Sequence, residues 1–445
     1  MNSSKVEKMK KALMRSNTHL LLSAVMLFQC LAMLLIAFQR GGVNVQALCF
    51  AVALPLCTWL VTTLMGRVWP VDRAILILVL LLCSVGLISL SDIAKANVTP
   101  RTQAIYAVVG IASMFIGAAF IRAWHNWKKT VPWLMALCLA VLASPYLPVI
   151  GVYKYGARNW IGLGGFSVQP SEFMKPVLIL CLASGFSQRP RFVKCIPTIA
   201  FAAACCGILL AEKDLGAVLL YFLTTVAMYY VATSNAFISL AGLGMGAAAA
   251  VLAYKALPYV QGRVAIWKNP WSDPENLGYQ LVHALIAIGS GGLFGMGLGL
   301  GMPRNIPLYH SDFIFAAITE EFGLIFAVGL LAVYVLIIMR GLIVAFNART
   351  SFHSLTAFGL VIMLGLQTML IAGGNTKLLP LSGVTLPLVC YGGSSLVSTF
   401  FSMGLLLGLS SMNAEDEARD IETIELKESY TINEEFEKSG MRNEE

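Results

Sequence analysis

Long apolar segments separated by short polar ones are the dominant pattern of this chain. Twelve of them approach or exceed the length of about 20 residues that an α-helix needs to cross hydrocarbon. They lie near residues 18–38, 43–65, 74–90, 104–123, 131–152, 171–186, 196–211, 214–232, 236–256, 313–339, 354–373 and 386–410. The short alternating segments of a transmembrane β-barrel are absent. The pattern therefore predicts an all-α polytopic membrane protein.

Composition and the distribution of basic residues support this interpretation and predict the orientation. The chain has 445 residues, 58% hydrophobic and 12% charged, with a mean hydropathy of +0.77. Positive charges concentrate in the N-terminal segment and in connections that a twelve-span topology puts on the same side, namely GRVWPVDR, RAWHNWKK, SQRPRFVK and RGLIVAFNART. Because basic loops remain in the cytoplasm, we expect a multi-pass plasma-membrane protein with both termini cytoplasmic.

The C-terminal segment differs in charge from the rest of the chain. Residues 411–445 contain twelve acidic and four basic residues, whereas the first 410 residues contain 27 basic and 11 acidic ones. Low hydrophobicity and high net charge predict a disordered acidic cytoplasmic tail over 411–445. A docking segment for a partner is the alternative.

Acidic side chains outside the tail collect on one side of the predicted bundle. Eight of those eleven follow residue 170, and six lie in outward loops or at outer helix ends. These six are Glu172, Glu212, Asp214, Asp273, Glu275 and Asp312. Ionisable groups near a membrane are costly and usually face a cavity or a partner. Together with basic residues in the same loops, they predict an outward-facing cavity for an anionic, phosphate-bearing substrate; interhelical ion pairs are the alternative.

The stretch YHSDFIFAAITEEFG opens the tenth span with three carboxyl groups. Successive residues of a helix are about 100° apart, so Glu320 and Glu321 cannot both face one cavity together with Asp312. We expect Asp312 at the outer mouth and at least one of the two glutamates paired with a neighbouring helix.

Three further motifs lie on the same outer side. In PSEFMK, Glu172 and Lys175 share a helix face, which indicates either a local ion pair or a cation oriented by its carboxylate. In EKDLG, Asp214 is expected to cap the following helix. The run GSGGLFGMGLGLG lacks the G-K-[ST] ending of a phosphate-binding loop, and we interpret it as flexible or tightly packed backbone.

Six segments together establish a resemblance to a known family. They are RNWIGLGGFSVQPSEFMK, the DLG of 214–216, NPWSDPENLGYQ, AIGSGGLFGMGLG, HSDFIFAAITEEFG and LPLSGVTLPLVCYGGSSL. On these the chain resembles the SEDS family (shape, elongation, division and sporulation) of RodA/FtsW/SpoVE-like bacterial proteins over roughly residues 75–410. The resemblance implies a ten-helix core at 71–410 within a bundle of about twelve transmembrane helices, with a long extracellular loop before the tenth helix. Residues 1–70 would add a cytoplasmic segment and two helices.

Family membership implies an inverting peptidoglycan glycosyltransferase that builds the cell wall for shape, division or sporulation. It would polymerise lipid II, an undecaprenyl-pyrophosphate-linked disaccharide-peptide, at the outer leaflet, together with a class B penicillin-binding protein and without a nucleic-acid partner. A non-catalytic scaffold for that partner and a flippase of lipid-linked precursors are the alternatives. The chain departs from the family pattern at IPLYHSD, EKDLG and GYQLVHA, and these departures bear on substrate geometry and activity.

The resemblance also assigns site residues. It places the family's essential acid at Asp312, which we expect to act as the base that activates the attacking hydroxyl. Lys175, Arg158 and Arg263, in that order, are candidates to stabilise the leaving pyrophosphate. The other substrate-binding candidates are Glu172, Tyr279, Gln280, Ser394 and Ser395. A Mg²⁺ or Mn²⁺ ion between Asp312 and pyrophosphate is compatible with these ligands, whereas the ten cysteines and five histidines show no zinc-site spacing.

Overall fold

The molecule, described here by a computed structural model, is a bundle of α-helices. Residues 3–39, 43–93, 99–125, 127–148, 150–154, 157–163, 166–187 and 192–440 are described. The helices are α1 Ser3–Phe38, α2 Val45–Val68, α3 Arg73–Ile93, α4 Pro100–Ala123, α5 Trp127–Ala143, α6 Pro170–Phe186, α7 Phe192–Ala211, α8 Leu215–Thr233, α9 Ala236–Ala256, α10 Pro258–Lys268, α11 Tyr279–Gly291, α12 Ile314–Phe346, α13 Ser351–Asn375 and α14 Gly393–Gly440. Parts of the predicted connection after the first span (40–42) and of the SQRPRFVK loop (188–191) lie outside the described residues.

The helical lengths confirm the predicted polytopic architecture. Within the described part of the chain, eleven helices are long and apolar enough to cross a membrane. The twelfth predicted span corresponds to α6, whose 17 residues are at the short end of the spanning range and which is largely buried among other helices. Helices α3, α13 and α14 are also mostly buried, whereas α9 is almost entirely exposed at the edge of the bundle.

A small antiparallel sheet distinguishes one end of the bundle, which we call the sheet face. Its strands are β1 Gly151–Lys154, β2 Ala157–Leu163 and β3 Phe166–Val168, in that order. Ile161 in β2 is opposite Gly151 in β1 and Val168 in β3. The sequence pattern does not predict this sheet, because strands this short show too little alternation to be recognised in a sequence. The opposite end carries Arg67 and Arg73, which flank the connection 69–72, and Arg349 in the connection 347–350, and we call it the basic face.

The long segment between α9 and α12 is folded against the bundle. It contains α10, α11 and the glycine-rich stretch 291–301, which contacts the first part of α12. Helix α12 is interrupted at Gly323 (φ 86°, ψ 169°), roughly 13 Å along the helix from its first residue. A break at this depth would leave backbone groups without partners unless other parts of the protein pair with them.

The glycine-rich stretch supplies those partners. The carbonyls of Glu320 and Glu321 accept from the N–H groups of Met296 and Gly297, at 2.9 and 3.0 Å. The two residues of α12 that follow Gly323 also bond to this stretch. Leu324 donates its N–H to the Gly292 carbonyl at 2.9 Å, and Ile325 donates its N–H to the Leu293 carbonyl at 3.2 Å. Four bonds therefore replace the two intrahelical bonds lost at the break. The run GSGGLFGMGLGLG is thus closely packed backbone, one of the two interpretations its composition allowed.

The acidic C-terminal segment differs from the prediction of disorder. Helix α14 continues from the last span to Gly440, and 441–445 lie outside the described residues. The turns of α14 that follow the apolar span are held on the basic face by ion pairs of Arg122 with Glu415 (2.9 Å) and Arg349 with Asp416 (3.3 Å). Such exposed pairs contribute little individually. The helix needs little further stabilisation, because it only propagates from a stable span and is rich in the good helix former Glu.

Replacing Gly323 by alanine should destabilise the fold. A Cβ there would lie 2.4 Å from Gly295 N and Leu293 O, and φ of +86° strains any side chain. We expect a loss of about 2–4 kcal/mol in the free energy of unfolding, seen as a lower denaturation midpoint in detergent. Gly329→Ala is the matched control, because its Cβ would meet no atom within 4 Å. Equal midpoints for the two variants would contradict the proposed requirement for glycine at the break.

Candidate active site

A polar cavity of about 470 Å³ opens on the sheet face. Strand β2, the residues just before α12 and the loop between α13 and α14 form much of its wall. Its ionisable or hydrogen-bonding lining residues include Tyr106, Asn159, Gln169, Lys213, Asp214, Arg263, His310, Ser311, Asp312, Thr385, Tyr391, Ser394 and Ser395. Four of the predicted site residues are therefore brought together here, namely Asp312, Arg263, Ser394 and Ser395.

Asp312 is held at the cavity by the end of α13. It lies two residues before the first residue of α12. The fully buried Asn375 donates from Nδ2 to the Asp312 carbonyl at 2.8 Å and accepts from the Ala316 N–H at 3.1 Å. One amide side chain thus connects α13 to both sides of the α12 N-terminus, which fixes the backbone that carries the Asp312 carboxyl.

The electrostatic environment of Asp312 favours a base that is active near neutral pH. Burial raises the pKa of its carboxyl from the ordinary value to about 6, and the negative charge of Asp214 acts in the same direction. The Ser311 hydroxyl and the Arg263 guanidinium oppose this shift. A carboxylate with this pKa is ionised at pH 7 and yet more basic than an exposed aspartate, as proton abstraction requires.

Asp214 is a cavity residue for which the sequence had suggested only a structural role. The predicted cap is confirmed, since its Oδ1 accepts from the Ala217 N–H at 3.0 Å. Its Oδ2 also accepts from Asn159 in β2 at 3.1 Å and from Gln169 before α6 at 3.0 Å. Asp214 therefore attaches the sheet and the α6 N-terminus to α8. The DLG match to the family and the outward acid cluster were the signals available for a wider role.

Arg263 and Lys213 bring positive charge to the same cavity. Arg263 in α10 donates from Nη1 to the carbonyls of Leu381 and Ser382, at 3.2 and 3.3 Å. These bonds fix the guanidinium on the loop that forms the opposite wall. Lys213 adopts φ of +64° in the tight connection between α7 and α8, and it lines the cavity.

Glu172 and Lys175 form a buried ion pair outside the cavity. Lys175 Nζ lies 2.7 Å from Glu172 Oε1 and 3.0 Å from Gln367 Oε1, and both charged side chains are 8% exposed. Gln367 donates in turn to the Thr385 carbonyl at 2.8 Å, and the Thr385 hydroxyl is 2.7 Å from that of Ser395. The pair therefore contacts the cavity lining through a hydrogen-bond chain across α6, α13 and the α14 N-terminus.

The other predicted binding residues lie away from the cavity lining. Arg158 donates to the Pro145 carbonyl at 3.1 Å and stacks over Tyr146. Tyr279 packs on His283 within α11, with ring centroids 4.2 Å apart, and Gln280 is next to it in the same helix.

The two glutamates of α12 are also separate from the cavity. Glu320 accepts from the Met302 N–H at 3.1 Å, and the Glu321 carboxyl faces Asp92 in α3. Both side chains therefore make their contacts in the region where the glycine-rich stretch packs against the broken helix α12.

The cavity has few ligands for a metal ion. Across the described residues, no group of three or more His, Cys, Asp and Glu side chains is arranged to hold one. Asp312 and Asp214 are the carboxylates that line the cavity. A Mg²⁺ or Mn²⁺ ion bound here would need most of its oxygen ligands from phosphate and water.

Comparison with known proteins relates the chain to a family of wall-synthesis proteins. Residues 67–415 match the cell cycle protein family FtsW/RodA/SpoVE, so α1 and almost all of α2 lie outside the match. Stage V sporulation protein E of Bacillus subtilis is 33% identical over 76% of this chain and 96% of its own length. Peptidoglycan glycosyltransferase RodA of Mycobacterium tuberculosis is 35% identical over 69% of each chain.

Solved structures show the same relationship. A chain from a structure on the coordination of polymerization and crosslinking by a peptidoglycan synthase complex has a TM-score of 0.66 and 27% identity, covering 77% of this chain and 98% of that chain. The crystal structure of Thermus thermophilus Rod shape determining protein RodA gives a TM-score of 0.58 at 27% identity, with 76% and 96% coverage.

Breaking the buried Glu172–Lys175 ion pair should lower the stability of the fold more than removing both charges together. Lys175→Met leaves the Glu172 carboxylate buried without its cation, and we expect a loss of about 3–5 kcal/mol in stability. The double variant Glu172→Gln with Lys175→Met should recover a large part of that loss. Denaturation midpoints in detergent measure both effects. A double variant as unstable as the single one would indicate that the individual contacts matter more than charge pairing.

Proposed function

The chain belongs to the cell cycle protein family FtsW/RodA/SpoVE, and we propose that it is a peptidoglycan glycosyltransferase that polymerises lipid II. The observation that carries the proposal is the combination of one poised carboxyl, Asp312, with fixed cations in a single cavity. Related proteins named as peptidoglycan glycosyltransferases support the reaction class.

In the proposed reaction Asp312 is the general base. It removes the proton from the 4-hydroxyl of the acceptor sugar as that oxygen attacks the anomeric carbon of the donor. The new glycosidic bond forms while the bond from that carbon to pyrophosphate breaks, so the α-linked donor gives a β-linked product by inversion. Pyrophosphate departs as an anion and needs little protonation, which is why one carboxylate base suffices.

Charge on the departing pyrophosphate requires cations that are already in place. We assign this role to Arg263 and Lys213, since both line the cavity. Lys175 supports the reaction indirectly, because it holds the Gln367–Thr385–Ser395 chain at the cavity lining. If a divalent cation binds, it would be held by Asp312 and add positive charge at the same phosphates.

We infer that the sheet face is outside the cell and that both termini are cytoplasmic. The basic face carries Arg67, Arg122, Lys194 and Arg349 at or near helix ends, which agrees with retention of basic connections in the cytoplasm. The cavity then opens at the outer leaflet, where a lipid-linked sugar donor and the growing glycan would both have access.

We also propose that the protein works with a class B penicillin-binding protein. The similarity to a chain of a peptidoglycan synthase complex supports an assembly in which polymerisation and crosslinking occur together.

Asp312→Ala should abolish polymerisation without unfolding the protein. Purified protein would be incubated with labelled lipid II, with and without a class B penicillin-binding protein, and the glycan chains resolved on a gel. We expect at least a hundredfold lower rate, the usual contribution of a positioned base. Glu275→Gln is the matched control, because this exposed acid in the same long segment does not line the cavity.

The same assay separates the alternative functions. Normal glycan chains from Asp312→Ala would remove that residue from the mechanism. Wild-type protein that moves lipid II across vesicles without making polymer would be a flippase. Protein that yields no polymer by itself but stimulates the penicillin-binding protein, unchanged by Asp312→Ala, would be a scaffold.

The rate should depend on pH through Asp312. Because the base must be ionised, the rate should fall as pH drops through about 6, the pKa to which burial raises this carboxyl. The Arg263 guanidinium lowers the pKa of Asp312. Arg263→Gln should therefore move the acidic limb of the pH–rate profile to higher pH and also slow the reaction. Initial rates between about pH 5 and 8 test this. Lys268→Gln, in the same helix but outside the cavity, should leave the limb in place; an equal shift in both variants would contradict the assignment.

A further inference from the structure

A second cavity, of about 260 Å³, lies near the basic face between α1, α2 and α3. Two of these three helices lie almost entirely outside the residues that match the family. The cavity is remote from the proposed active site, which opens at the other end of the bundle, and neither Asp312 nor any residue assigned to the reaction lines it.

The polarity of this cavity changes with depth. Arg67, in the last turn of α2, and Arg73, the first residue of α3, lie nearest the basic face. Thr63 lies one turn deeper in α2 and Trp59 two turns deeper, because residues four and eight positions before Arg67 share its helix face. Leu22 and Ile77 complete the inner part. The cavity is therefore cationic at its mouth, hydroxylated below it and apolar inside.

The two guanidinium groups have no carboxylate beside them in the cavity. Its lining residues, all in the described part of the chain, include no Asp or Glu. The nearest acid in sequence, Asp72, instead binds Arg340 at 2.8 Å. Arg73 itself lies against the α2 backbone, since a Cβ at Gly66 would be 3.3 Å from its Nε. Two positive charges are thus placed at one opening, and a bound anion would relieve the repulsion between them.

We propose that this cavity binds an anionic phospholipid of the leaflet next to the basic face. The phosphate headgroup would lie between Arg67 and Arg73, and an acyl chain would follow Trp59 and Leu22 inward. Basic pockets between transmembrane helices recognise such headgroups, and the polarity gradient matches an amphipathic ligand better than a free anion. The bound lipid would connect the additional α1–α2 hairpin to α3, the first helix of the family core.

This lipid would reinforce a hairpin that has few other polar attachments. Within the described residues, Gln29 in α1 donates to Thr58 in α2 and to Ser84 in α3, at 2.9 and 3.0 Å. Near the other end of α1, Gln39 donates to the Leu298 carbonyl of the glycine-rich stretch. Both contacts lie deeper than the cavity or at the opposite end of α1, so the lipid would add a connection near the basic face.

Native mass spectrometry of the purified full chain tests the proposal. Delipidated protein would be reloaded with phosphatidylglycerol or phosphatidylcholine, and with glycerol phosphate as a soluble anion. We expect preferential retention of phosphatidylglycerol. In the double variant Arg67→Gln with Arg73→Gln, retention should weaken by roughly thirtyfold, since each basic residue near an anionic lipid contributes about a fivefold change. Arg67→Lys should keep most of the preference.

Lys194→Gln is the matched control, because this exposed cation of α7 is near the basic face but outside the cavity. It should retain phosphatidylglycerol like the wild type. Equal loss in Lys194→Gln and the double variant would overturn the proposal in favour of general surface attraction. Equal retention of the two lipids by the wild type would overturn it without any variant, so the test does not depend on the double variant folding. Displacement of the lipid by glycerol phosphate would indicate a site for free anions.

Discussion

The requirement that every backbone polar group inside a membrane has a partner governs this structure. Helix α12 is broken at Gly323, and the break persists because the stretch 291–301 pairs with the freed groups on both sides of it. That pairing brings α11 and the following loop against the bundle. The same first part of α12 begins next to Asp312, so the position of the proposed base depends on hydrogen bonds far from the cavity.

Buried polar side chains extend this support to the cavity itself. Asn375 fixes the backbone around Asp312, and Asp214 joins the sheet to α6 and α8. The Glu172–Lys175 pair contacts Ser395 through Gln367 and Thr385. Each of these groups is expensive to bury alone and is stabilised by its partners. These partners allow acidic residues outside 411–445 to collect at the sheet face of an otherwise apolar bundle.

Much of this architecture was accessible from the sequence, although not its finer parts. Runs of apolar residues predict the spans, because length alone decides whether a helix can cross the bilayer. The three short strands and the break at Gly323 were not predicted, since both depend on contacts with distant segments. The acidic tail was predicted to be disordered from its charge, but α14 continues through it to Gly440 from a stable span.

The sequence by itself determined the membrane architecture, the family and the collection of acidic residues on one side, because these follow from composition, periodicity and motifs. Only the tertiary structure decided which charged residues share a cavity. Asp312, Asp214 and Arg263 converge there from three separate segments. Lys175 is bound to Glu172 inside the bundle, and Arg158 bonds to the Pro145 carbonyl. Local spacing can place a side chain on one helix face, but its neighbours across the bundle are set by how the helices pack.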